Sequence, residues 1–177
     1  MTTYLLDLQA TLVANMEDMR AWAAKRTRGG PSDYHAHIRH VERYRQWLVE
    51  LLRAEQLHRG ARVVLITARK AFYTKTTMAS IQTKTAWHPD AAFFNPGDLE
   101  PHVAKLELMQ ARIFPTFSTD PSSYVALESN HRTRAMYAEL GIYAERIDEE
   151  LAELPRRPAG WTATQPRPRR SAQLSLF

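Results

Sequence analysis

Cysteine is absent from the 177 residues, and with it go disulfide bonds, cysteine-ligated zinc and thiol nucleophiles. No apolar run approaches the roughly 20 residues that span a bilayer. The opening MTTYLLDLQA lacks a basic segment followed by a long apolar stretch, so a cytoplasmic protein with no membrane association is expected. No internal repeat is visible. Acidic side chains are missing from Pro155 to Phe177, a stretch that holds five arginines (Arg156, Arg157, Arg167, Arg169 and Arg170). Of the 24 lysines and arginines, 19 therefore remain to balance the 19 acidic residues of the body. The net charge of +5 belongs to a tail, and the body is formally neutral.

What is present suits one domain with a sizeable core and an appendage, since 44% of residues are hydrophobic. Tyr4-Leu5-Leu6-Asp7 is a short apolar run stopped by an acid, the pattern of a buried central strand with a polar group at its carboxyl end. An Ala-rich stretch from Met16 to Lys25 predicts a short helix, broken at Gly29-Gly30-Pro31. Ser32 or Asp33 then caps a long helix to about His58, with Ile38, Val41, Tyr44, Trp47, Leu48, Leu51 and Leu52 at 3–4 residue spacing. Val63 to Ile66, ending in Thr67, reads as a second central strand covered on both faces. Between Arg69 and Thr85 the helical spacing is weak, and a solvated helix face is expected there. Ala91–Asn95 is a third strand, Pro101 opens a helix to about Ala111, and Tyr124 to Leu127 is a strand ending at Glu128. A helix over 132–140 stops at Gly141. Strands alternating with helices predict an α/β doubly wound parallel sheet, whose ligand sites lie beyond the carboxyl ends of the strands, where Asp7, Thr67 and Glu128 fall.

In order along the chain these polar strand ends resemble the haloacid dehalogenase (HAD) superfamily, over about Tyr4 to Ile142. Asp7-Leu8-Gln9-Ala10-Thr11-Leu12 is similar to its first motif, Leu65-Ile66-Thr67-Ala68-Arg69 to the second, and Lys105 in a Pro-initiated helix to the third. Glu128-Ser129-Asn130, leading through a helix into Leu140-Gly141-Ile142, is similar to the fourth. The resemblance implies a HAD-like Rossmannoid domain over 1–154, capless or with a small helical insertion. It also implies a phosphohydrolase in which Asp7 attacks phosphorus, Thr67 binds a phosphoryl oxygen and Lys105 neutralises charge. Glu128 and Asp7 would hold Mg²⁺ together with a backbone carbonyl of the loop after Asp7, and Thr11, Arg69 and Asn130 would meet the substrate. Gln9 departs from the pattern: the family's phosphatases carry a proton-transferring Asp there, and an amide cannot exchange a proton at neutral pH. Ala10 also replaces the motif's glycine. The chain is then either a phosphatase for nucleic-acid ends or nucleotides, similar to the phosphatase half of polynucleotide kinase-phosphatases, or a catalytically degenerate pseudoenzyme that binds the clamp described next and modulates or inhibits replication.

Residues 155–172, rich in proline and arginine, read as a disordered, flexible linker whose charge could contact DNA phosphates. Gln173, Leu174, Ser175, Leu176 and Phe177 resemble, residue for residue, the pentapeptide by which bacterial replication and repair proteins dock on the β sliding clamp. An amide and three apolar anchors suit a pocket. In the Asp33–His40 stretch only His37 and His40 share a helix face, so a surface cluster is expected rather than a metal site. Trp22, Trp47 and Trp87 are expected to pack.

Overall fold

A computed structural model describes residues 1–18, 31–147 and 149–162. Five strands, β1 (Thr3–Leu6), β2 (Arg62–Lys70), β3 (Ala91–Asn95), β4 (Tyr124–Leu127) and β5 (Tyr143–Glu145), form one sheet in the order β3-β2-β1-β4-β5. Every pairing is parallel. Side chains alternate across a strand, so each strand feeds two cores. Tyr4, Leu6, Val63, Leu65, Val125 and Leu127 enter one, with Leu48, Val49 and Leu52 of α2 (Gln46–Arg59) and Ile81 of α3 (Thr74–Thr85). Leu5, Val64, Ile66 and Ala126 enter the other, with Leu108 of α4 (Pro101–Leu108) and Met136 and Tyr137 of α5 (His131–Glu139). This is the doubly wound parallel sheet that the alternation of strands and helices predicts.

The expected helix from Ser32 to His58 is two helices, α1 (Pro31–His40) and α2, separated at 41–45. The apolar spacing runs straight through the break, so periodicity alone cannot show it. The cause is tertiary: the loop after β1 satisfies the backbone groups that leave the helix. Ala14 N–H donates to Arg43 O (2.8 Å), Arg45 N–H to Leu12 O (2.9 Å), and Asn15 bonds both Val41 O and Arg43 N–H.

Other boundaries shift as well. β2 continues past Thr67 to Lys70 through a register irregularity, and β5 forms although the sequence does not announce it. α4 runs on through a π-helical turn at Met109–Ile113 to Thr116. The wider turn immediately precedes Pro115, which lacks an N–H and would crowd the Ala111 carbonyl of a regular α-turn. α3 is not simply a solvated face, because it buries Thr77, Ser80, Ile81 and Thr85. Residues 155–162, expected to belong to a free linker, lie against the body. Arg157 donates to Gly141 O (3.2 Å) and stacks over Trp161, whose ring meets Tyr143 edge-on at 5.7 Å. The remainder of the expected linker and the peptide Gln173–Phe177 lie outside the described residues, as do Trp22 and most of the helix expected from Met16. Among the described residues no helix is long and apolar enough to cross a membrane.

Candidate active site

β1 and β4 are adjacent and in register, so the residues that follow them leave the sheet side by side. The ladder continues one step beyond both strands: Asp7 N–H donates to Leu127 O and Glu128 N–H to Glu145 O, each at 2.9 Å. By strand alternation Asp7 and Glu128 share the parity of Leu5 and Ala126, the face covered by α4. Lys105, one turn into α4, comes up between them. Its ammonium donates to Asp7 Oδ1 at 2.7 Å and to Glu128 Oε2 at 2.5 Å, and its side chain is 2% exposed. Residues 98 and 23 positions apart are thus joined at one point by the topology.

The remaining carboxylate oxygens are also engaged. Asp7 Oδ2 accepts from the hydroxyls of Thr11 (3.1 Å) and Ser129 (3.2 Å), and Ser129 also donates to Gln9 O at 3.0 Å. Glu128 Oε1 accepts Asn130 N–H at 2.8 Å. The loop after β1 closes through Leu12 N–H to Asp7 O and Val13 N–H to Leu8 O, with Ala10 at φ +63°. That is the left-handed region, which glycine enters without strain and which an L-residue reaches at the expense of a Cβ contact.

Electrostatics at this point are unbalanced, one ammonium against two carboxylates in a nearly dry site. Burial works against the Lys105 charge, but Asp7 and Glu128 together outweigh it and hold its pKa above the ordinary lysine value. Burial pushes the Glu128 carboxyl up to about 7, with Lys105 pulling it down and Asp7 pushing it further up. The excess of anionic oxygen over positive charge is the donor set that a small hard cation fits.

The side chains of three of the expected site residues have other partners. Thr67 is buried in β2 with the opposite parity, and its hydroxyl accepts Arg69 N–H at 3.1 Å. Arg69 is 4% exposed and ion-paired with Glu42, donating also to Thr77 Oγ1 at 2.9 Å. Asn130 caps α5, accepting from Arg132 N–H (2.9 Å) and Thr133 N–H (3.3 Å). Asp7, Lys105, Glu128 and Thr11 are the ones brought together.

Residues that sequence reasoning assigned no role complete the surroundings. Arg134 Nη1 clamps the Glu128 and Ser129 carbonyls at 2.9 and 2.7 Å. Tyr34, on α1, lies within hydrogen-bonding reach of the Gln9 and Arg69 side chains. Burial raises its pKa above that of an ordinary phenol, Arg69 pulling it down and Glu42 pushing it up. His37 is buried rather than on the surface, stacked on Tyr34 at 5.9 Å. Glu42 left a trace in the sequence, since it falls four residues after Ile38 on the apolar stripe, where an acid needs a partner. Tyr34 left none.

No family model matches the sequence, and no curated protein matches it. Among solved structures the chain is similar to one in the structure of the Pnkp1/Rnl/Hen1 RNA repair complex. The TM-score is 0.56 at 16% identity, over 82% of this chain and 42% of that one. At that identity the likeness is one of fold, and this chain spans less than half of its neighbour's length.

Proposed function

We propose that this chain is a HAD-like, Mg²⁺-dependent phosphohydrolase acting on phosphate-bearing nucleic-acid ends or nucleotides, brought to DNA by docking of Gln173–Phe177 on a bacterial sliding clamp. The observation that carries the catalytic part is Lys105 bridging Asp7 and Glu128 beyond adjacent parallel strands. In this reading Asp7 attacks phosphorus, Lys105 reduces the repulsion between that carboxylate and an anionic phosphate, and Thr11 and Ser129, both hydrogen-bonded to Asp7 Oδ2, hold the carboxylate's orientation. Asp7 and Glu128 would hold Mg²⁺, with water completing the coordination; the ion, when bound, supplies charge neutralisation at the phosphoryl oxygens.

Three features favour a nucleic-acid substrate. At the carboxyl end of β2, Phe72 is 67% exposed and its ring meets those of His35 and Tyr73 at 5.3 and 5.2 Å, a surface on which bases stack. The neighbour of similar fold belongs to an RNA repair complex. Arginines of the tail add charge suited to DNA phosphates.

The test is hydrolysis of a 3′-phosphorylated oligonucleotide with and without Mg²⁺. Asp7→Asn is expected to reduce the Mg²⁺-dependent rate to background; an unchanged rate would remove Asp7 from the reaction. A second reading, favoured by Gln9, is a pseudoenzyme that binds the clamp and modulates replication. In that case clamp binding survives Asp7→Asn and no Asp7-dependent turnover is found.

A further inference from the structure

Gln9 stands where phosphoryl transfer through Asp7 needs a group that gives and takes a proton, and an amide does neither near neutral pH. The side chain it meets is Tyr34, delivered by α1. Three contacts fix the Tyr34 ring. Tyr73 lies edge-on at 4.7 Å, His37 is stacked at 5.9 Å, and the Arg69 guanidinium sits 5.4 Å from the ring centroid. Arg69 is itself immobilised by Glu42 and Thr77. Arg69 and Gln9 thus favour the phenolate, while burial outweighs them and makes the hydroxyl hold its proton more tightly than an ordinary phenol until a strong base forms beside it.

We propose that Tyr34 is the proton donor and acceptor of this site, with Gln9 orienting its hydroxyl. The proposal rests on the phosphohydrolase reading above. In the first half-reaction an Asp7 carboxylate oxygen bonds to phosphorus and the ester P–O bond breaks. The Tyr34 O–H proton passes to the departing alkoxide, leaving a tyrosinate and an aspartyl-phosphate. In the second, a water oxygen bonds to phosphorus and gives its proton to the tyrosinate. The acyl-phosphate P–O bond then breaks, restoring Asp7 and releasing inorganic phosphate. One water is consumed and nothing is oxidised or reduced. A sugar alkoxide is a much stronger base than a phenolate, so the first transfer runs downhill, and the tyrosinate it leaves is a strong enough base for the second. Arg69, beside the ring, meets the transient negative charge.

Leaving-group dependence tests the assignment. Departure of p-nitrophenolate needs no proton, whereas departure of a 3′-hydroxyl does. In the full chain with Mg²⁺, Tyr34→Phe is expected to lower kcat/KM for a 3′-phosphorylated oligonucleotide by about 100-fold or more, and for p-nitrophenyl phosphate by less than about tenfold. The same variant is expected to release a burst of p-nitrophenolate equal to the enzyme present, because its aspartyl-phosphate hydrolyses slowly. Gln9→Asp placed on Tyr34→Phe is expected to restore the oligonucleotide rate. Equal losses on both substrates without a burst, or an oligonucleotide rate unchanged by Tyr34→Phe, overturn the role of Tyr34 while Asp7-dependent activity stands. Turnover identical in wild type and Asp7→Asn overturns the underlying phosphohydrolase reading and the Tyr34 role with it.

Discussion

Lys105 answers two buried carboxylates with one charge, and that imbalance makes it the position at which a single truncation has the largest expected effect. Lys105→Met removes the cation and leaves Asp7 and Glu128 facing each other out of water. Breaking a buried pair from one side costs roughly 3–5 kcal/mol, to be read as a lower urea midpoint at pH 7. Adding Glu128→Gln should recover part of the loss, since it removes the anion left without a partner; no recovery would mean that Lys105 acts through packing of its stem. Ala10 is a smaller case. At φ +63° it bears a Cβ in a region costing an L-residue roughly 1–2 kcal/mol. Ala10→Gly relieves this against about 0.4–1 kcal/mol of added unfolded-state entropy. The variant should therefore match or exceed wild-type thermal stability, whereas Ala10→Val should fall below it. That Asp7, Lys105 and Glu128 converge was legible because strand ends and a Pro-initiated helix locate them without any knowledge of packing. The pairing of Arg69 with Glu42 was not, because Glu42 lies in a break that only tertiary contacts create.

That break separates α1 from α2, and it decides which side chains α1 sends toward the site. A continuous helix would satisfy its own backbone; instead the loop after β1 takes up residues 41–45 and turns Glu42 inward to Arg69. β3, β4 and the end of α2 were readable from local pattern, since each has an uninterrupted apolar face or run. The existence of β5 was not, because three half-buried residues at a sheet margin carry no periodic signal, and the extension of β2 was not, because it runs through Arg69, buried in an ion pair with Glu42. α1 also packs through His37, whose pKa lies below the ordinary histidine value. Burial lowers it, Glu42 raises it, Arg69 lowers it, and Asp18 and Lys84 add smaller opposing effects. A base with a depressed folded pKa stabilises the fold in its neutral form. The contribution is therefore complete above the unfolded value of roughly 6.5 and is lost as pH falls through the lower folded value. Wild-type stability should accordingly decline below about pH 6.5, and His37→Phe should flatten that decline specifically. Parallel curves for the two proteins would assign the acid sensitivity to other groups.

Across the whole molecule, a formally neutral body and a basic tail suggest two separate tasks, and the first two arginines of that tail are held on the body. Arg157 and Trp161 hold the chain against Gly141 and Tyr143, and Arg156 approaches Glu55 at 3.5 Å, so the first two tail arginines face the body. Ten residues, Ala163 to Ala172, then lie between the last described position and the clamp-like peptide. Fully extended they reach at most roughly 33–36 Å, so a body anchored through Trp161 and tethered at the peptide would work within a molecular diameter of the clamp surface. If the two tasks are separable, a version ending at Ala172 should lose binding of about micromolar strength to purified bacterial β clamp, measured by titration calorimetry. It should also keep both its melting temperature and any Asp7-dependent hydrolysis. Retained clamp binding would move the docking surface onto the body. A fall in melting temperature would instead show that Leu174, Leu176 and Phe177 pack on their own domain.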